Sequence, residues 1–180
     1  QIPIHDNWVN KPINSLKSIF RAWMPQTAAN HQQRVDLMKR LSQKFPDIAW
    51  QLCVAQFGAH HQTGDYSHKP RWRPDGYGFG EPFPTWGPII EFVREMIEMA
   101  LTWKDYSLEM LCDLVERLHD LSEADQTRVW SLIEDWAKRK ASDADKAAMR
   151  EKIRVTTLSR RAAIRARKSG KTTGLATAGV

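Results

Sequence analysis

The densest group of side chains able to hold a metal is His60, His61, Asp65 and His68. Imidazole nitrogens and a carboxylate suit a divalent cation only when the backbone fixes their directions, and adjacent histidines close to Gly64 are poorly fixed. A solvated polar loop is the expectation there, with no metal and no other cofactor. Gly76-Tyr77-Gly78-Phe79-Gly80 invites comparison with a phosphate-cradling loop, whose glycines let the backbone approach the anion at a helix N-terminus. It lacks both the preceding strand and the GxGxxG spacing. Gly170-Lys171-Thr172 matches the end of a Walker A loop, but Arg165 stands where its first glycine must be. No Ser/His/Asp or Cys/His set can be picked out. Cys53 and Cys112 lie 59 positions apart without a CxxC pair or zinc-type spacing, so both are expected as reduced, largely buried thiols. These residues predict a protein that is not an enzyme.

Two other patterns suit recognition better than catalysis. His68, Lys69, Arg71, Trp72 and Arg73 concentrate cations around one indole, with Pro70 and Pro74 stiffening the backbone. Arginine stacks on indole and also forms forked pairs with carboxylate or phosphate. The stretch reads either as a clasp, with Trp72 in a helix groove and its arginines paired to acidic side chains, or as an exposed recognition loop. Further on, Arg150, Arg154, Arg161, Arg165 and Lys168 recur at helical spacing, with Arg160 and Arg167 alongside. A stripe of this kind neutralises nucleic-acid phosphates or pairs with acidic residues of a neighbouring segment. No aromatics are interleaved to stack on bases, which favours the second use.

Composition sets the frame for both. The chain has 180 residues, 42% hydrophobic and 27% charged, so it is long enough for a buried core and too apolar for a disordered tail. Its net charge of +6 is unevenly spread: residues 1–137 carry 14 basic against 18 acidic side chains, and residues 138–180 carry 13 against 3. A mildly acidic body therefore bears a basic C-terminal arm. The most apolar stretch, Ile89 to Trp103, is interrupted by Glu91, Arg94, Glu95 and Glu98, which excludes a membrane span there. No signal peptide is visible, and a cytoplasmic location is expected. Gln1 in place of Met points to a piece of a longer or processed polypeptide.

The elements that must position these residues are helical almost throughout, because apolar residues recur every three to four positions. Seven helices are predicted. The first spans about 13–23, between Pro12 and Pro25; the second, about 30–45, presents Met38, Leu41 and Phe45. Pro46 opens a third that carries Trp50, Cys53, Val54 and Phe57 and stops at Gly58. Residues 58–88, rich in Gly, Pro and aromatics, read as one long loop ordered by Tyr66, Trp72, Tyr77, Phe79, Phe83 and Trp86. Thr85 is the expected N-cap of a central fourth helix with the stripe Ile89, Phe92, Val93, Met96, Ile97 and Ala100. A fifth helix, about 107–119, carries Leu108, Leu111, Val115 and Leu118; a sixth opens at Ser122 and buries Val129, Ile133 and Trp136; a seventh opens at Ser142. Both serines precede an acid by three positions, the capping-box arrangement. Beyond Ile153 the apolar face of the last helix thins, so its end calls for a partner. The fold class is all-α: an irregular, solenoid-like array of helix pairs, with a helical domain at 1–141 and a basic helix and tail at 142–180.

Three strings taken together resemble a known protein class: Ala22-Trp23-Met24-Pro25-Gln26-Thr27-Ala28, Phe45-Pro46-Asp47-Ile48-Ala49-Trp50, and Gly64-Asp65-Tyr66-Ser67-His68-Lys69-Pro70-Arg71-Trp72-Arg73. They resemble a segment of large, mostly uncharacterised bacterial proteins related to STAND-type NTPases and similar multidomain defence proteins, across about residues 7–165. The resemblance implies a sensor or scaffold role within a long helical array. The NTPase residues of that class do not carry over, because no Walker motif is present. The expected function is a non-enzymatic helical interaction module of a larger bacterial protein, whose partners are other domains of the parent chain or another protein. The alternative is a nucleic-acid-binding segment acting through the basic arm.

Overall fold

The computed structural model describes residues 11–58, 83–158 and 164, and every described regular element is helical. Residues divide into two compact units, 1–104 and 105–180. Charge shifts near position 138, but the packing divides earlier, and the last helix belongs to the second unit.

In the first unit, α1 (Pro12–Ile19), α2 (His31–Lys44), α3 (Pro46–Val54) and α4 (Gly87–Leu101) surround one core. Phe20, Ala22, Val35, Met38, Ala49, Leu52, Cys53, Ile89, Phe92 and Met96 form it. α4 packs against both α2 and α3, which gives it the central place its broad apolar stripe predicts. Local chemistry sets several ends. Asn30 caps α2 in a full capping box: its side chain accepts from Gln33 N–H while the Gln33 side chain accepts from Asn30 N–H, each at 2.9 Å. Pro12 and Pro46 open α1 and α3, where the missing N–H costs nothing. Gly58 ends the third segment at φ 68°, a left-handed conformation that side chains with a Cβ resist.

Three expectations need correction here. α1 stops at Ile19 instead of continuing to Trp23, because the chain doubles back and Gln26 N–H donates to the Ser18 carbonyl at 3.0 Å. Phe20, Ala22 and Met24 of the resulting turn are all fully buried, and that burial outweighs the helical preference of the segment. Thr85 does not cap α4; the helix begins at Gly87 with Trp86 in the cap position and a proline in the first turn, which leaves one fewer N–H to satisfy. Phe45, expected on the buried face of α2, lies exposed at the α2–α3 link.

The loop over 58–88 falls mostly outside the described residues. Of its aromatics, Phe83 and Trp86 are described. Phe83 packs on the core and donates its N–H to the Trp23 carbonyl at 3.3 Å, while Trp86 is exposed.

The second unit contains α5 (Leu108–Glu116), a 3-10 turn (Leu118–Asp120), α6 (Glu123–Arg139) and α7 (Asp143–Leu158). α5 packs against both α6 and α7. Leu111, Leu114 and Val115 of α5, Val129, Ile133 and Trp136 of α6, and Met149 of α7 are buried. Ser122 and Ser142 cap α6 and α7 as predicted, receiving Asp125 N–H at 3.2 Å and Asp145 N–H at 3.1 Å. At α7 the Asp145 carboxylate also accepts the Ser142 N–H at 3.1 Å, which closes the box. Replacing Ser142 by alanine should therefore lower stability by about 1 kcal/mol, measured as a denaturation midpoint, and fray the start of α7. Unchanged midpoint and unchanged amide protection at Asp145 would contradict this assignment.

Candidate functional site

The predicted recognition residues fare unequally. His68, Lys69, Arg71, Trp72 and Arg73 lie outside the described residues, as do His60, His61 and Asp65 and the Gly76–Gly80 glycines. Among the described residues no group of three or more His, Cys, Asp or Glu is placed to hold a metal ion. Of the basic stripe, Arg160, Arg161, Arg165, Arg167 and Lys168 also lie outside; Arg150 and Arg154 stand one turn apart, exposed, on α7. Arg154 forms a fork with Glu151, Nη2 and Nε donating at 2.6 and 2.8 Å. That pair holds the Glu151 carboxyl below and the Arg154 guanidinium above their ordinary pKa values through hydrogen bonding. Arg154 is thus paired within its own helix, through an exposed i,i+3 contact.

The second half of α7 shows a different surface. Only Met149 of this helix is buried, and Lys152 reaches across to α5, donating to Glu116 at 3.0 Å. Past that anchor Val155 and Leu158 are 53% and 62% exposed, and Ile164 is exposed as well. Val155 and Leu158 lie on the side of α7 turned away from Met149, whereas Lys152, Ile153 and Thr156 continue the packed side and stay half-buried.

A second site, in the first unit, was missed by sequence reasoning. Arg34 of α2 is only 1% exposed. Its position is in helical register with Met38 and Leu41, so the chain places a cation on the core-facing stripe; that register was the available signal. The Phe92 ring lies 4.1 Å from its guanidinium carbon and the Phe83 ring 5.8 Å. His31, one turn earlier on α2, meets Phe92 edge-on at 5.7 Å. Nη1 of Arg34 donates to the Arg21 carbonyl at 3.2 Å, tying α2 to the buried α1–α2 turn. Arg21 in turn lies over the Trp23 ring, 5.4 Å from its centroid. Burial pulls the Arg34 pKa down to about 10, which still leaves the guanidinium charged at neutral pH.

Cys53 is fully buried behind this region, with its Sγ 3.6 Å from Met99 Sδ and 3.9 Å from Met96 Sδ. Burial pushes its thiol up to about 12, so at neutral pH it is a small apolar group and no nucleophile. Cys112 is partly buried and shifted upward too, chiefly by the same desolvation.

No family model, curated protein or solved structure matches the chain. Among the described residues no helix is long and apolar enough to cross a membrane.

Proposed function

We propose that this chain is a helical interaction module of a larger bacterial protein, binding a protein partner through the outer half of α7. The observation that carries this reading is the exposure of Val155 and Leu158 on a helix whose first half is capped, packed and anchored to α5. A helix packed on one side, with Val155 and Leu158 three positions apart on the opposite side, presents a small apolar face to a groove or a neighbouring helix. The resemblance to segments of STAND-type and related defence proteins supports the same role, as a solenoid-like array standing between other domains in the cytoplasm. The basic stripe then pairs with acidic residues of that partner, as Arg154 already does with Glu151.

The test is site-specific photo-crosslinking in cells from a photoreactive residue replacing Leu158. The expected product is one discrete protein adduct, and the adduct should disappear when Val155 is also changed to Glu. Adducts to nucleic acid, or none at all, would replace this reading; nucleic-acid adducts would promote the basic arm, whose binding should then weaken steeply with salt.

A further inference from the structure

We propose that the free edge of Arg34 is an oxyanion-binding site, taking a carboxylate or phosphate group of a soluble ligand side-on. The site stands on the first unit alone and does not depend on what α7 binds.

A guanidinium offers donors on more than one edge, and among the described residues only one nitrogen of Arg34 is paired. Nη1 holds the Arg21 carbonyl, whereas Nε and Nη2 of Arg34 are buried without a hydrogen-bond partner among the described residues. Those two nitrogens share one edge, with parallel N–H bonds spaced to meet both oxygens of a carboxylate or two of a phosphate. Phe92 lies over the guanidinium at 4.1 Å and Phe83 approaches at 5.8 Å, so aromatic carbon restrains the plane while the edge keeps its donors. The fork is thus oriented before any anion arrives, and little side-chain entropy remains to be lost on binding.

The neighbouring polar groups point to the same ligand chemistry. Arg21 Nη1 and Trp23 Nε1, on the turn that Arg34 grips, are likewise buried and without a partner among the described residues. Gln26, on that same turn, leaves only its amide oxygen unpaired, because its Nε2 donates to the Met24 carbonyl at 3.3 Å. Arg21 and Trp23 thus add two unpaired donors on the turn that Arg34 holds, and no described residue supplies a carboxylate to either arginine. A buried cation with no counter-charge is costly, and an arriving anion removes that cost while gaining short charge-assisted hydrogen bonds. The segment 59–82 contains Asp65, Asp75 and Glu81 but also Lys69, Arg71 and Arg73, so by sequence it brings no excess of negative charge.

The experiment follows the arginine Nε–Hε signals of the full chain by NMR, with thermal melting in parallel, while inorganic phosphate or acetate replaces chloride at constant ionic strength. One Nε–Hε signal should shift saturably and the melting temperature should rise with the same anion. Phosphate and acetate arms show which oxyanion the edge prefers. Arg34→Lys, which keeps the charge and loses the fork, should abolish both responses. Trp23→Phe keeps the ring and removes its N–H; it should weaken the affinity about tenfold, and it serves as the test if the lysine variant does not fold. No saturable shift with either anion overturns the proposal, as does a response that survives Arg34→Lys. It also fails if a chain changed at Asp65→Asn, Asp75→Asn and Glu81→Gln moves the Arg34 signal in chloride alone, since a carboxylate of the protein itself would then occupy the edge.

Discussion

Replacing Phe92 by alanine is expected to destabilise the first unit by about 3–5 kcal/mol, the usual range for deleting a buried aromatic ring. Phe92 is fully buried, with Arg34 over its face and His31 at its edge, so the substitution opens a cavity and uncovers a buried cation together. Phe92→Leu separates the two losses. Leucine fills most of the volume and offers no π-face, so the cation–π part alone, about 0.5–2 kcal/mol, should be added to a modest repacking cost. Denaturant midpoints of the two variants against the parent give both quantities. If alanine leaves the midpoint in place, Phe92 is not packed as described and the anchoring of Arg34 fails with it.

Cys53 should resist alkylation by about a thousandfold relative to an ordinary thiol at mildly alkaline pH. A shift from 9.0 to about 12 lowers the thiolate fraction by that factor, and burial also blocks the reagent. Labelling of the folded chain should therefore mark Cys112 first, with Cys53 following only when denaturant is added; equal labelling of both would place Cys53 outside the core. The same shift makes stability depend on pH. Cys53 has a higher pKa folded than unfolded, so its contribution is complete below about 9 and is lost as pH climbs from about 9 towards about 12, on the order of 4 kcal/mol in all. Arg34 acts in the opposite sense: burial depresses its folded pKa to about 10, below its unfolded value, so its contribution grows as pH rises past that point. Between about 9 and 10, below the range where Arg34 acts, Cys53 dominates, and the half-buried Cys112, also shifted upward, acts in the same sense. There Cys53→Ala should flatten the alkaline fall in stability seen for the parent chain.

The parts of the fold legible in the sequence are those decided within a turn or two of chain. Pro12, Pro46 and Gly58 act through their own backbone dihedrals, and Ser122 and Ser142 reach an N–H only three residues away, so residue type and spacing suffice to place them. The stripes of α3, α4 and α6 were readable for a related reason: a helix repeats its faces every 3.6 residues or so whatever it packs against. The fading of the packed side of α7 past Ile153 was readable too, because Thr156 stands where that side calls for an apolar residue.

Only the tertiary structure decided where neighbouring faces meet, since that depends on residues distant in sequence. It ended α1 at Ile19, because burying Phe20, Ala22 and Met24 in a turn gains more than another turn of helix would. It left Phe45 outside although its spacing from Met38 and Leu41 fits the buried stripe, and it drew Arg34 inside although charge argues for solvent. Arginine patterns as a surface residue on a helix; it becomes a buried one here because Phe92 of α4, Phe83 and the carbonyl of Arg21 converge on it from segments that no local rule connects.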